Sequence, residues 1–247
     1  MIKETRLIMG MTIILIAPDK SVANENIEEV FSFFTYVDKM YSPFIESSLV
    51  SRIRRGEVGE PEYPDELREI LAIAKQTKRD TNGYFNVWHK GDFDPSGIVK
   101  GWAIAEAAKI LGKYSDNFYI EAGGDIQVGG VNEGGYPWQI GIRNPFDRHQ
   151  NIKVVALKDS AVATSGTAIR GQHIYDPVDN KKLDEVVSIS VITSNIIDAD
   201  RMATAAFAMG AKGIYFIEQL DGYEACAVMA DKTTITTTGW QKYEATK

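Results

Sequence analysis

Two oxygen-bearing side chains, Asp200 and Thr204, occur in the segment "DADRMATAAFAMG", which otherwise consists mainly of alanine and methionine. Their spacing of four residues places them on one face of a helix, and their neighbours predict that this face is buried. A buried carboxylate and hydroxyl need a partner. A hard cation such as Mg²⁺ suits these oxygens and also accepts a backbone carbonyl. The alternative is a capped helix, with Asp198 as the predicted N-cap and Asp200 complementing the helix dipole.

A second polar stretch, "ATSGTAIRGQHIYDP", runs from residue 163 to 177. Thr164, Ser165 and Gly166 offer hydroxyls and backbone amides, and His173 could act as an acid, a base or a ligand. The alternative is a turn followed by a strand whose histidine is simply hydrogen-bonded. The chain has no Gly-x-Ser-x-Gly motif, so a hydrolase triad is poorly supported.

A third cluster, "FDPSGIVKGWA", surrounds the predicted start of a helix. Free amides at a helix N-terminus favour an anion, and Lys100 adds a positive charge near Asp94 and Gly97. The alternative is a capping Ser96 and a solvated Lys100. The spacing is not that of a Walker A loop. In "EAGGDIQVGG", the glycine pair predicts a hairpin turn, and it could also admit a ligand close to the backbone.

The elements that must position these clusters follow from periodicity and turn signals. "RLIMGMTIILIA" is predicted as a first strand, and apolar spacing predicts a helix in "ANENIEEVFSFFTYVDKMY". "SPFIESSLVSRIRRGEVGEPEYP" is interpreted as a polar loop, and "PDELREILAIAKQTKRDTNG" as a helix that stops at Gly83. "YFNVW" is a predicted short strand, "GDFDPSG" a turn and "IVKGWAIAEAAKILGK" a helix.

Strand-like runs dominate the remainder of the chain. They are "NFYIEA", "DIQVGG", "PWQIGIR", "NIKVVAL", "AVATS", "QHIYDP", "VVSISVI", "YEACAVMA" and "TTITTTGW", with helices predicted at "DADRMATAAFAMG" and "KGIYFIEQL". Strict alternation of strands and helices is absent, which favours an α+β fold over a doubly wound sheet. We expect a single compact domain with a mixed or antiparallel sheet core flanked by helices. Its two halves could form subdomains with a cleft between them.

Composition narrows the class of protein. The 247 residues are 44% hydrophobic and 25% charged, with a net charge of −7. This acidic balance argues against wholesale binding to nucleic acid. No apolar run is long enough for a transmembrane helix, and no signal-peptide pattern is present, so we expect a soluble, cytoplasmic protein. The single cysteine, Cys226, lies in a strand-like apolar run and is predicted to be a core residue.

Taken in order, seven motifs resemble those of the ApbE family of FAD:protein FMN transferases. They are "MGM", "DKMYSPFIESSLVSRI", "NGYFNV", "FDPSGIVKGWA", "EAGGDIQVGG", "VATSG" followed by "HIYDP", and "ADRMATAAFAMG". Each motif alone is weak, but together in register they are specific and they cover nearly the whole chain. The resemblance implies an ApbE-like fold and a Mg²⁺-dependent enzyme that uses FAD as its substrate.

The family's site residues carry over to the matching positions. The resemblance implies that the Gly97 carbonyl, Asp200 and Thr204 hold the metal, and that His173, Lys100 and Asp200 carry the catalysis. The residues expected to contact FAD are Met9, Phe44, Tyr84, Phe85, Asn86, Asp94, Lys100, Thr164, Ser165, Gly166, His173 and Ile174. Thr164–Gly166 and the strand containing His173 would then form two walls of one flavin-phosphate site.

The implied reaction splits the diphosphate of FAD, releases AMP and attaches FMN through a phosphoester to a threonine or serine of an acceptor flavoprotein. The alternatives are an FAD pyrophosphatase that releases FMN and AMP, and a flavin-binding protein without turnover. The chain departs from the family pattern at several positions. Phe44 replaces a tyrosine, Asn86 an aspartate, and Pro95 and Ser96 alter the turn before the helix.

Overall fold

The computed structural model describes residues 1–89, 91–167 and 185–245. In this part of the chain, eight strands form one sheet in the order β1-β2-β5-β6-β9-β10-β11-β12. They are β1 (Ile2–Ile8), β2 (Met11–Ala17), β5 (Phe118–Ala122), β6 (Asp125–Gly129), β9 (Ser160–Gly166), β10 (Val186–Thr193), β11 (Glu224–Met229) and β12 (Thr234–Thr236). Every neighbouring pair is antiparallel. The predicted α+β fold is confirmed, and the division into domains stays a prediction.

The first predicted strand is in fact a hairpin of two strands. Met9 and Gly10, at φ 57° and 67°, form the two-residue turn between β1 and β2. Positive φ at both turn positions matches the twist of the flanking strands. The prediction of one continuous strand was therefore wrong, because Gly10 is a turn residue within an apolar run.

Helices cover much of the first half, as predicted. They are α1 (Asn24–Tyr41), α2 (Leu49–Arg54), α3 (Asp65–Asp80) and α4 (Ser96–Gly112), and α5 (Ile196–Ala208) and α6 (Lys212–Glu218) follow later. The segment before α3 was interpreted as a loop, and this was wrong for Leu49–Arg54, which form α2. Ser48 caps this helix by accepting a hydrogen bond from the Ser51 amide at 3.1 Å, and this serine-initiated start was not recognised in a polar context.

Two small hairpins lie outside the large sheet: one differs from the prediction, and the other joins two predicted strands. The predicted strand "YFNVW" contributes only its tryptophan to β3 (Trp88–His89), which pairs with β4 (Asp92–Phe93) inside the predicted turn. The predicted strands around residues 137–157 form the hairpin of β7 (Trp138–Asn144) and β8 (Asp147–Leu157). At the C-terminal end, β12 covers only Thr234–Thr236 of the predicted strand, and a 3-10 helix (Trp240–Tyr243) begins at its last residue.

The large sheet separates two apolar clusters. The larger cluster packs helices α1, α3, α4 and α5 on one face, and the smaller packs the β7–β8 hairpin and Trp240 on the other. Cys226 lies in the smaller cluster, as predicted for a core residue, and burial raises the pKa of its thiol to about 11. Among the helices in the described ranges, none is both long and apolar enough to cross a membrane.

Candidate functional site

A cleft of about 770 Å³ opens where one end of the sheet meets α4, α5 and the β7–β8 hairpin. Cavities of this size accommodate cofactor-sized ligands. Many of the predicted site residues line it: Tyr84, Phe85, Asn86, Asp94, Gly97, Lys100, Thr164, Ser165, Gly166, Asp200 and Thr204. The structure thus brings together, at one place, predicted residues separated by more than one hundred positions in the chain.

The predicted helix face that carries Asp200 and Thr204 is formed by α5, which packs against α4. The close approach depends on Gly101. A Cβ atom at this position would lie 3.1 Å from Asp200 Oδ2 and 3.2 Å from the Ile196 carbonyl oxygen. The Gly101 amide donates a hydrogen bond to Asp200 Oδ2 at 3.0 Å. The two helices therefore meet through the α4 backbone and the Asp200 carboxylate, with no α4 side chain at the point of contact.

Lys100 lies between two buried carboxylates. Its Nζ contacts Asp125 Oδ2 and lies 3.3 Å from Asp200 Oδ1. Asp125 and Asp200 are 1% and 3% exposed, so water contributes little to neutralising them. Burial raises the pKa of Asp200 to about 7, and Asp125 adds to this rise, whereas the Lys100 ammonium and the Gly101 amide oppose it.

Strand β9 joins this cluster through its last residues. The Thr164 amide donates a hydrogen bond to Asp125 Oδ1 at 3.0 Å, and Ser165 Oγ lies 3.2 Å from Thr204 Oγ1. The Thr164 hydroxyl is 2.7 Å from that of Ser190 on β10. The Thr-Ser-Gly stretch, predicted from sequence as a turn or a site wall, is thus the end of a strand that faces the cleft.

The cluster has the charge and the donor atoms that suit a hard cation. One lysine and two aspartates give it a formal charge of −1, in a largely buried place. In a regular helix the Gly101 amide donates to the Gly97 carbonyl, but here Asp200 competes for this amide. Gly97, Asp200 and Thr204 line the same cleft, and a carbonyl, a carboxylate and a hydroxyl are oxygen donors of the kind that Mg²⁺ binds. A metal site built from three or more His, Cys, Asp or Glu side chains is a different arrangement, and the described residues contain none.

The start of α4 forms another part of the cleft wall. Asp94 Oδ1 accepts a hydrogen bond from the Ser96 amide at 2.9 Å, and the N-cap position is Pro95. The alternative role of Ser96 as N-cap is therefore wrong. Arg54 fixes the preceding backbone, because its Nε donates to the Phe93 carbonyl at 2.6 Å. The hydrogen bond from the Ser96 amide and the hydrogen bond from Arg54 to the preceding residue therefore hold Asp94 in place at the cleft.

The capping of α5 also differs from the prediction. Asn195 is the N-cap, and its side chain accepts a hydrogen bond from the Asp198 amide at 2.9 Å. Asp198 was predicted for this role but lies in the first turn, where it pairs with Arg201 at 2.6 Å. An asparagine three residues upstream is an equally good cap, which explains the misplacement.

The segment between α3 and β3 lines the cleft as predicted for Tyr84, Phe85 and Asn86. Phe85 is buried against the start of α4, where a Cβ atom at Gly97 would lie 3.1 Å from its ring. Asn86 turns back on its own segment, because its Oδ1 accepts a hydrogen bond from the Trp88 amide at 3.2 Å. Their roles toward a ligand stay predictions.

Two predicted contacts are not among the cleft-lining residues. Met9 is in the β1–β2 turn, near the cleft end of the sheet, and it packs against the larger core. Phe44 is 94% exposed in the loop before α2. His173 and Ile174 lie outside the described residues. Met9 and Phe44 were selected by resemblance, and the structure does not bring either residue into the lining of the cleft.

Sequence reasoning missed several residues that face the cleft, and also Asp125, which is buried beside Lys100 and does not itself line the cleft. The omission of Asp125 is the most informative. This residue directly follows the glycine pair of "EAGGDIQVGG", and a polar residue at the start of a buried strand was a usable signal. The turn at Gly123 and Gly124, with φ of 62° and 97°, confirms the predicted hairpin. No pattern singled out Arg143, which reaches the cleft from the separate β7–β8 hairpin.

Known proteins share both sequence and fold with this chain. The model of the ApbE family matches residues 88–227. A "FAD:protein FMN transferase" of Vibrio cholerae serotype O1 is 34% identical over 128 residues, which are 47% of this chain and 38% of that protein. A protein of the same name from Chlamydia muridarum is 25% identical, over 81% of this chain and 79% of its own length. The chain thus spans well under half of the first relative's length.

Solved structures show the same fold. The ApbE protein of Thermotoga maritima superposes with a TM-score of 0.87 at 20% identity, over 99% of both chains. The flavin transferase ApbE of Vibrio cholerae superposes with a TM-score of 0.84 at 21% identity, over 98% of both chains. The family match covers more than half of the sequence and includes β3 through most of β11. The chain belongs to the ApbE family.

Proposed function

We propose that the protein is a Mg²⁺-dependent FAD:protein FMN transferase. The observation that carries the proposal is the cleft with its buried cluster of formal charge −1 beside the start of α4. The names of the relatives from Vibrio cholerae and Chlamydia muridarum, both FAD:protein FMN transferases, support this activity. A cleft of about 770 Å³ is within the range that holds cofactor-sized molecules.

The polarity of the cleft supports a dinucleotide rather than a free flavin. The first amides of α4 and a cation held by the cluster would both favour the diphosphate of FAD. The proposed metal ligands are the Gly97 carbonyl, Asp200 and Thr204. The aromatic and aliphatic residues Tyr119, Ile140 and Val162 line other parts of the cleft and suit the ring systems.

In the proposed reaction, the hydroxyl oxygen of an acceptor threonine or serine attacks the phosphorus of the FMN half. A P–O ester bond forms, the phosphoanhydride bond breaks, and AMP leaves with the electron pair of that bond. The hydroxyl proton goes to a base, for which His173 is the sequence-predicted candidate. When bound, Mg²⁺ would supply charge stabilisation to the phosphoryl oxygens.

The residues of the chain itself have defined tasks in this proposal. The α4 N-terminus binds the diphosphate, and Asp94, held by the Ser96 amide, shapes that end of the cleft. Lys100 is already paired with two carboxylates, so its positive charge is largely offset. Stabilisation of the transferring phosphoryl group would therefore come from Lys100 and the cation together.

One incubation tests the proposal. The protein is mixed with FAD, Mg²⁺ and a candidate acceptor flavoprotein, and the products are resolved by mass spectrometry and chromatography. The expected result is an acceptor that is heavier by one FMN unit, together with one AMP per acceptor. Free FMN plus AMP would identify a pyrophosphatase, and unchanged FAD a passive flavin-binding protein. The Asp200→Asn variant and an EDTA sample are the controls, and both should leave FAD intact.

A further inference from the structure

Asp125 is a buried carboxylate to which neither the metal ligand set nor the proposed reaction assigns a task. It opens strand β6, directly after the Gly123–Gly124 turn, and is 1% exposed. Burial of an ionised carboxylate is costly unless it is paired. Its two oxygens have different partners: Oδ1 accepts the Thr164 amide at 3.0 Å, and Oδ2 contacts Lys100 Nζ.

Asp200, by comparison, already contacts two groups of α4, the Gly101 amide and the Lys100 ammonium. Its Oδ2 accepts the Gly101 amide at 3.0 Å, and its Oδ1 lies 3.3 Å from Lys100 Nζ. A cation that binds Asp200 must share this carboxylate with the ammonium group. If Lys100 had no other counter-charge, it would compete with the cation, because both are attracted to the same oxygens.

We propose that Asp125 is a positioning residue that acts as the counter-ion of Lys100 and thereby leaves Asp200 available to a divalent cation. The inference rests on the proposed metal-dependent function. Asp125 also ties the lysine of α4 to the last residues of β9, since its other oxygen holds the Thr164 amide. It thus sets both the charge and the geometry of the cluster without itself binding the metal.

The test is the affinity for Mn²⁺ alone, measured without FAD by electron paramagnetic resonance or calorimetry. Asp125→Asn keeps an oxygen for the Thr164 amide but turns an amide group toward Lys100. The ammonium then moves onto Asp200, and the Kd for Mn²⁺ is expected to rise about 10–100-fold, the range for loss of an outer-shell partner of a metal site. Asp19→Asn is the matched control. It removes a carboxylate bonded by Ser115 and Asn117, away from the cleft, and should leave the Kd unchanged.

The double variant Lys100→Met with Asp125→Asn separates charge competition from damaged packing. It removes both members of the ion pair and restores the formal charge of −1 through Asp200 alone. The counter-ion role predicts that this variant binds Mn²⁺ more tightly than Asp125→Asn and close to wild type. A merely structural role of Asp125 predicts no recovery. Thermal unfolding of each variant verifies that it is folded.

Three outcomes would overturn the inference. They are a wild-type Kd in Asp125→Asn, a double variant that binds as weakly as the single variant, and a wild-type protein that binds no Mn²⁺. The first two leave the proposed function intact, because transfer of FMN is measured separately. Transfer that persists in EDTA would instead contradict the metal dependence of the proposed function, whatever the Mn²⁺ titration shows.

Discussion

The two walls of the cleft are built on different principles. The wall formed by α4 and α5 carries buried polar groups that bond one another: Asp200 holds the Gly101 amide, and Lys100 contacts two carboxylates. The wall formed by the β7–β8 hairpin alternates buried isoleucines with the exposed residues Gln139, Gly141 and Arg143. The polar side chains of the helix wall are therefore bonded to one another, whereas the hairpin wall offers exposed side chains.

This difference predicts which wall carries chemistry and which adapts to the substrate. Electrostatic stabilisation is strongest where charged groups are buried and already oriented, because no reorganisation is needed during the reaction. Solvated side chains contribute less to binding and can adjust. Substitutions in the helix wall should consequently affect metal binding and turnover, and those in the hairpin wall should affect substrate affinity by smaller factors.

The largest expected effect comes from Asp200→Asn. This change removes the only carboxylate of the proposed metal ligand set, so Mn²⁺ affinity and FMN transfer should both fall by more than about 100-fold, the upper end of losses for an outer-shell partner. Titration with Mn²⁺ and a transfer assay measure the two effects. A variant with full activity, or wild-type activity in EDTA, would remove Asp200 from the metal site.

His173→Ala should slow transfer while leaving FAD and Mg²⁺ binding in place. General-base assistance contributes about 10²–10⁴-fold, so a loss of this size is expected in single-turnover transfer at saturating FAD. FAD affinity is measured on the same sample. Weakened FAD binding with an unchanged transfer rate would instead assign His173 to packing against the substrate and leave the metal and Lys100 to carry the chemistry.

Gly101→Ala tests how tightly the helix wall is packed. The new methyl group would lie 3.1 Å from the Asp200 side chain and 3.2 Å from a backbone carbonyl, so α4 or α5 must shift. Overpacking of this kind costs about 1–3 kcal/mol of unfolding free energy, and the displaced Asp200 should weaken Mn²⁺ binding as well. Denaturant unfolding and the Mn²⁺ titration provide the two readouts.

Gly112→Ala is the control on the same helix. It places a methyl group where no atom lies within 4 Å, at the C-terminal end of α4. Replacing a helical glycine by alanine stabilises by about 0.5–1 kcal/mol where space permits. Equal effects of the two substitutions would show that helix propensity, not contact with Asp200, determines the result at Gly101.

The helix wall could be predicted from the sequence to a large extent. The spacing of Asp200 and Thr204 predicted that they share one helix face, and in α5 Asp200 is buried while Thr204 is half-buried at the cleft. The glycine pair before Asp125 predicted the hairpin that the structure contains. These features are local, because periodicity and turn chemistry act over a few residues.

The contacts between distant elements could not be predicted in the same way. The pairing of Lys100 with Asp125 depends on α4 lying over the start of β6, and no local pattern encodes this distance. The strands of the hairpin were predicted, but their position at the cleft was missed for the same reason, since β7 and β8 form a separate two-stranded sheet in the described part of the chain and reach the cleft through packing. The α2 helix was missed because a short capped turn is hard to distinguish from a polar loop.

Arg143→Ala is expected to give the smallest effect and the sharpest test of the hairpin wall. Arg143 lies at an irregularity of the β7–β8 register, and such bulges re-aim side chains next to binding sites. Loss of its charge should raise the KM for FAD about two- to tenfold, as expected for a solvent-exposed contact with a charged group, with unchanged kcat and Mn²⁺ affinity. Lys20→Ala removes the same charge from an exposed turn outside the cleft. It controls for the effect of the protein's net charge on FAD binding. If Arg143→Ala instead lowered kcat or Mn²⁺ affinity as strongly as the helix-wall variants do, the two walls would act as one unit, and the division between a fixed chemical wall and an adaptable binding wall would fail.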